Sequence, residues 1–228
     1  MVQDASFYNQ NPKFYVAVDN VIFGFADGKL QVLLQQRDFE PFSGELSVQG
    51  GFVQENEDVD TAAERVLFER TGVHDVYITQ VGTFGRLDRD PGARVVSVAY
   101  YCLLDKARCD DEKVKKYHGV WVDVDSLPEL HFDHTEIVRT ALFHLRMFIG
   151  RKPIGFYLLP ENFTLSQLQT LHEAILGVTL DKRNFRKRVA DMTFIEKTGL
   201  VDKIHSKRGA ALYRYNAEEF KNFNKFKL

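Results

Sequence analysis

The sequence predicts an α+β protein built from two units. A mixed, curved sheet in an α/β/α sandwich occupies residues 1–150, and a winged helix-turn-helix follows over residues 151–228. Three observations carry that expectation. The first unit holds 15 Lys/Arg against 24 Asp/Glu, and the second 15 against 8, so a net charge of −2 conceals two parts of opposite sign. Strand-like runs dominate the acidic part, interrupted by two helical patterns. In the basic part, two short amphipathic helices are separated by a tight turn and followed by two β-prone runs.

Composition removes several classes. With 228 residues and 44% hydrophobic content the chain can build one large core or two modest ones, and its small net charge is not that of a disordered chain. No run approaches the roughly 18 apolar residues of a membrane span. Residues 1–12 are too polar for a signal peptide. Two cysteines, Cys102 and Cys109, are too few for a disulfide scaffold and lack zinc spacing. The expectation is a cytoplasmic protein without membrane association, resident metal or cofactor.

In the acidic unit, residues 14–25 are rich in Val, Ile and Phe, and Asp27-Gly28 separates them from residues 30–34, the pattern of a β-hairpin. Asp19 stands within this apolar run, either as a carboxylate satisfied by hydrogen bonds or as a ligand contact. Further strands are expected at residues 77–84, 95–104 and 120–124. A helix is expected at 61–71, with Thr61 and Glu64 as a capping box, Ala62, Ala63, Val66 and Leu67 as its apolar stripe and Gly72 as its stop. A second spans about 135–149, with Ile137, Ala141, Leu142, Leu145 and Phe148 on one side. Residues 84–94 form a polar loop with a Pro-Gly turn. Arg86, Arg89 and Arg94 there suit phosphate and Asp88 and Asp90 suit sugar hydroxyls, unless the loop is simply solvated.

Residues 50–73, GGFVQENEDVDTAAERVLFERTGV, carry the most information. They resemble the Nudix box, a glycine loop leading into a helix whose carboxylates hold Mg²⁺ on a diphosphate. Gly51, Glu57, Arg65, Leu67, Glu69, Gly72 and Val73 stand on the pattern. Two metal-binding positions depart from it: Val66 and Arg70 replace glutamates, and of the three helix carboxylates only Glu69 is left. Glu64 lies on another side of the helix, and in the family Glu57 usually pairs with the box arginine, here Arg65. This degenerate box predicts a pocket with Gln49, Gly50 and Gly51 at its edge that has lost efficient hydrolysis.

In the basic unit, Arg151-Lys152-Pro153 opens a linker. Thr164 and Gln167 form a capping box, and Leu165, Leu168, Leu171, Ile175 and Leu176 line the helix they open, which Gly177 stops. Asp181 caps a second helix expected to run from Lys182 to Met192. On a wheel, Phe185, Val189 and Met192 share one face. Arg183 and Lys187 lie opposite, with Lys182, Asn184 and Arg186 toward the flanks. Such a face is either solvated or a nucleic-acid reader, since Arg and Asn pair with base edges and Lys with phosphates. The basic turn Ser206-Lys207-Arg208-Gly209, set between β-prone runs, supplies the wing that favours the reader. Lys221, Lys225 and Lys227 belong to a frayed end.

A degenerate Nudix box joined to a basic winged helix resembles the Nudix-related transcriptional regulators, the NrtR family. The stretches Leu158-Leu159-Pro160, Phe163-Thr164-Leu165, Leu168-Gln169 and Asp181–Lys187 carry the likeness. The resemblance implies a homodimer on a palindromic DNA operator, controlled by a small-molecule effector. Some members resemble ADP-ribose sensors, while others answer to pentoses, and the wording of this sequence is closer to the L-arabinose-responsive branch that governs sugar catabolism. Two other readings stand beside it: a weak Nudix hydrolase of a nucleoside diphosphate derivative, and a protein-interaction adaptor.

Overall fold

The structure is a computed structural model describing residues 6–204 and 208–221. After a single helical turn, α1 (Ser6–Asn9), the chain enters the long strand β1 (Tyr15–Ala26). Asp27 and Gly28, both at positive φ, turn it directly into β2 (Lys29–Gln36), with Ala26 paired to Lys29. This is the primed two-residue turn that the right-handed twist of paired strands favours. Short strands β3 (Leu46–Ser47) and β4 (Gln49–Phe52) follow, then α2 (Val59–Thr71), β5 (Tyr77–Phe84), β6 (Val95–Leu103), α3 (Asp111–Lys116), β7 (Gly119–Asp123) and α4 (His134–Ile149). The described residues form a seven-stranded sheet in the order β3-β2-β1-β6-β5, with β4 added to β1 and β7 to β2. Only β1 and β6 run parallel.

Alternation along β1 divides the sandwich. Val18 and Ile22 pack toward α2 with Val66, Leu67 and Tyr100, whereas Val21 and Phe23 pack toward α4 with Ile137, Ala141 and Leu145. The expected hairpin, strands and apolar stripes are all present. The cap of α2 differs from the expectation: Asp58 is the N-cap, accepting from the Thr61 amide at 2.8 Å, and the helix starts before Thr61. Starting there lets Val59 join the apolar cluster beneath the helix. Gly72 closes it in the left-handed region at φ 74.

The chain then continues without a loose linker. Pro153 occupies the first turn of a 3₁₀ segment, Pro153–Leu158, in which Ile154, Gly155 and Leu158 are buried. Next come β8 (Phe163–Thr164), α5 (Leu165–Leu176), α6 (Lys182–Ala190), β9 (Ile195–Asp202), β10 (Ala210–Tyr215) and α7 (Ala217–Lys221). The capping box on Thr164 and Gln167 is complete, and Gly177 ends α5 at φ 68. Asp181 caps α6 through the Asn184 amide at 2.8 Å. This helix stops at Ala190, short of the expected Met192, which nevertheless stays buried with Phe185 and Val189. Strands β9 and β10 pair antiparallel and β8 adds a third strand, the winged-helix arrangement. Lys221 is in α7, ion-paired with Glu218 at 2.8 Å; Lys225 and Lys227 lie outside the described residues.

One apolar core runs through both units. Val21, Phe23 and Val32 of the sheet and Leu145 and Ile149 of α4 belong to the same cluster as Leu168, Leu171 and Ile175 of α5 and Phe185 of α6. Buried in it, His172 bonds through Nδ1 to the Leu168 carbonyl at 2.8 Å, and burial pushes its pKa down to about 4. The unfolded chain therefore takes up this proton near pH 6.5, well before the folded one does. Stability should be fully present above about pH 6.5 and decline by roughly 3 kcal/mol as the pH falls toward 4. Urea denaturation across that range should show this slope, and His172→Gln should flatten it.

Candidate effector pocket and nucleic-acid interface

The Nudix-box segment is held by a fixed pattern of bonds. Arg65 grips Glu57 with two hydrogen bonds of 2.7 and 2.9 Å, reaches the Phe52 carbonyl at 3.1 Å and pairs with Glu69 at 3.2 Å. The guanidinium holds the Glu57 carboxyl down to about pKa 2, and the same bonds push Arg65 up. Both carboxylates are thereby spent within the loop and helix. Val66 is buried, with its Cγ2 only 2.7 Å from where a Cβ on Gly51 would sit. Gly51 thus lets the loop close onto an apolar residue.

This donor set does not fit the divalent metal that a Nudix box implies. Val66 offers no oxygen, Arg70 brings a positive charge, and Glu57 and Glu69 are ion-paired. Among the described residues no group of three or more His, Cys, Asp or Glu is placed to hold a metal ion.

Beside the box opens a cleft of about 630 Å³, a normal size for a small-molecule site. Its walls come from the start of β1, the β2–β3 loop, β4, the end of α2, the loop before β6 and the start of α4. Tyr15, Phe39 and Phe52 stand half exposed on it, as aromatic surfaces suited to a flat ring. Gln35 Oε1 and Ser47 Oγ also belong to lining residues, and both atoms are buried without a hydrogen-bond partner among the described residues. Arg37 stacks its guanidinium 4.2 Å from the Phe39 ring centre, and Arg70 lies 4.0 Å from that of Tyr117. Neither has a carboxylate within 4 Å among the described residues, and burial pushes both pKa values down. A second cleft of about 550 Å³, between the β1–β2 turn and the start of α5, contains no residue of the box.

A buried ion cluster forms the floor of the first cleft. Arg89 donates to both oxygens of Asp133, at 2.8 and 2.9 Å, and to Asp19 at 3.1 Å. Burial opposes its charge, but the bonds to Asp133 and the charge of Asp19 outweigh that and hold its pKa up. Asp19 also accepts from Ser97 at 2.6 Å. His134 accepts from the Val48 amide through Nδ1 at 3.4 Å, with Nε2 3.8 Å from Asp19. Burial pushes its pKa down, against the nearby charges of Asp19 and Asp133.

Of the expected effector contacts, Asp19, Gly50, Gly51, Arg89 and Asp90 line this cleft. The Arg89 guanidinium, expected to meet phosphate, is already engaged by the carboxylates of Asp133 and Asp19. Gln49 is buried but does not line the cleft. Arg86 and Asp88 lie outside it, highly exposed and 3.8 Å from each other. Asp90 accepts from the Gly92 amide at 2.8 Å, which shapes its loop. Arg94 donates to the Arg86 carbonyl at 3.1 Å. Gln35, Arg37, Ser47 and His134, in the β2–β4 region and at the start of α4, also line the cleft and were not among the residues expected there. Only a polar residue breaking an apolar strand, as at Gln35, marked any of them.

On the basic unit, Lys182, Arg183, Asn184, Arg186 and Lys187 are all exposed on α6, together with Arg188. Among the described residues none of these cations has a carboxylate partner. Arg208 is exposed beside β10, whereas Ser206 and Lys207 lie outside the described residues. A helix with a free cationic face next to a two-stranded wing is built for a polyanion.

Fold and sites together define the class: a Nudix domain whose box carries Val66 and Arg70, fused to a basic winged helix. The NUDIX domain model matches residues 13–141, and that of the NrtR DNA-binding winged helix domain matches 155–215. The ADPR responsive transcriptional repressor NtrR of Acinetobacter baylyi is 33% identical over 93% of this chain and 86% of its own length. The crystal structure of Shewanella oneidensis NrtR complexed with a 27mer DNA superposes with a TM-score of 0.81 at 30% identity, covering 93% of this chain and 97% of that one. The NUDIX domain of the same protein complexed with ADP ribose matches 64% of this chain and 99% of that one, at 29% identity and TM-score 0.50. An ADP-ribose pyrophosphatase of Methanocaldococcus jannaschii is 34% identical over 54% of this chain and 70% of its own length. The chain belongs to the NrtR family of Nudix-associated winged-helix regulators.

The ion cluster leads to a direct test. Asp133→Asn replaces one of the two carboxylates on the buried Arg89 guanidinium by a neutral amide, leaving Asp19 as its counter-charge, and should cost about 2 kcal/mol of stability in urea denaturation.

Proposed function

We propose that the protein is a DNA-binding transcriptional repressor whose Nudix cleft senses ADP-ribose. The observation that carries this reading is the exposed cationic face of α6, without a carboxylate partner among the described residues and held on the same apolar core as the effector cleft. Support for the ligand comes from the relatives: one is described as ADPR responsive, and another was solved once with DNA and once, as its Nudix domain, with ADP ribose. The cleft offers aromatic surfaces for an adenine, unpaired guanidinium groups for a diphosphate, and Gln35, Ser47 and Asp90 for ribose hydroxyls. In this reading residues 1–150 sense the effector and 151–228 bind DNA. A homodimer would present two α6 helices to a palindromic operator. With the box donors spent or replaced, the cleft binds its ligand and does not hydrolyse it efficiently.

Helix α4 supplies the coupling. Its N-terminus places His134 in the wall of the cleft, just after Asp133 binds Arg89, and near its far end Arg146 donates to the Ile175 carbonyl of α5 at 2.7 Å. An effector that prefers one setting of this helix shifts the population of DNA-competent dimers.

Fluorescence anisotropy on a labelled fragment of the upstream region tests the whole scheme. Binding should be sequence-dependent, fall steeply with salt, and change on adding ADP-ribose. A response to L-arabinose in its place would move the protein to the pentose-sensing branch. Arg183→Ala and Lys187→Ala should weaken binding without unfolding the protein, and each lost phosphate contact should lower the salt slope by about one. Unchanged affinity in both variants would exclude α6 as the reader. Rapid Mg²⁺-dependent cleavage of ADP-ribose would make the protein a hydrolase.

A further inference from the structure

Arg70 stands where the Nudix pattern has a metal-binding glutamate, and its surroundings are those of a ligand-binding cation. It extends from the last turn of α2 to the cleft, where one guanidinium nitrogen donates to the Gly50 carbonyl at 3.2 Å. Its plane is steadied against Tyr117, and its Nε is buried without a partner among the described residues. Across the same cleft Arg37 is anchored to the Pro41 carbonyl at 2.8 Å and stacked on Phe39. The third arginine of the cleft, Arg89, is spent on Asp133 and Asp19. Two positive charges are therefore held in a partly desolvated pocket with no carboxylate paired to them among the described residues, next to Gln35 and Ser47 oxygens that have no hydrogen-bond partner there.

We propose, resting on the reading of this cleft as the effector pocket, that Arg70 takes over the charge role of the metal and, with Arg37, grips the effector's diphosphate directly. A guanidinium presents N–H groups in a plane that matches two phosphate oxygens, and it neutralises their charge as a cation. It coordinates no water and cannot bring the pKa of a bound water near 7, which is how a metal generates the hydrolytic nucleophile. The same substitution would thus serve recognition of the diphosphate and leave it uncleaved. Val66 fits this arrangement: buried under Gly51, it closes off the second metal-binding position with a methyl group.

Isothermal titration of the full chain with ADP-ribose, in EDTA and in Mg²⁺, tests this directly. The affinities should agree within about twofold, as for a site whose cation is fixed in the protein. Arg70→Ala should weaken ADP-ribose binding in EDTA by about tenfold or more while leaving AMP, which lacks the diphosphate, nearly unchanged, and Arg70→Lys should recover part of the loss. Binding of ADP-ribose only in Mg²⁺, or undiminished binding by Arg70→Ala, would overturn the role of Arg70 and leave the ADP-ribose reading intact. No binding of ADP-ribose in either condition would overturn both. The titrations of the unmodified chain need no substitution, so they decide the matter even if Arg70→Ala folds poorly.

Discussion

The buried Arg89 guanidinium, held between Asp133 and Asp19, is the interaction on which the arrangement of the molecule turns. A desolvated cation is tolerated only when its charge and its donors are met, and here two carboxylates from distant parts of the chain meet them. Asp19 lies in the middle of the central strand and Asp133 at the start of α4. Closing this cluster draws the polar loop before β6 over the sheet, sets the entry of α4 and forms the floor of the cleft. Asp133 is not free to cap α4 with its side chain, yet its charge still lies at the positive end of the helix dipole.

From that cluster α4 extends to the winged helix, and the contacts along it are rigid ones. Ile137, Ala141, Leu145 and Ile149 are fully buried, and Leu168, Leu171 and Ile175 of α5 share their core. Close packing of this kind does not yield gradually; it favours a small number of discrete settings. In the proposed reading, a ligand that touches His134 acts at one end of a helix that holds the Ile175 carbonyl of α5 through Arg146 near its other end. A regulator needs such a connection between sites, and a hydrolase does not.

The basic unit shows the complementary economy of charge. Several arginines of the acidic unit, Arg65 and Arg89 among them, are paired with carboxylates, whereas the cations of α6 have no carboxylate partner among the described residues. Mutual repulsion on that face costs stability, and the cost is offset where Phe185, Val189 and Met192 bury the opposite face of the same segment. Arg37 and Arg70 repeat the theme inside the cleft, with aromatic rings in place of counter-ions.

Most of the local structure was legible in the sequence because it depends on neighbours within a few residues. The Asp27-Gly28 turn, the Thr164–Gln167 capping box, the stop at Gly177 and the wheel of α6 are all local, and the spacing of the Nudix box encodes the Glu57–Arg65 pair as directly. The cap of α2 shows the limit: Asp58 and Thr61 both suit an N-cap, and the burial of Val59 favoured Asp58. What only the tertiary structure decided was which charges are spent and which are free. Nothing near Arg89 in the chain says that it is buried, because its partners lie 70 residues before it and 44 after. Arg37 and Arg70 remain available for the converse reason, since packing brings rings to them instead of carboxylates. Sequence sets the inventory of charges, but their desolvation and pairing arise from long-range packing, and that pairing separates guanidinium groups held open toward a cleft from those already spent on carboxylates.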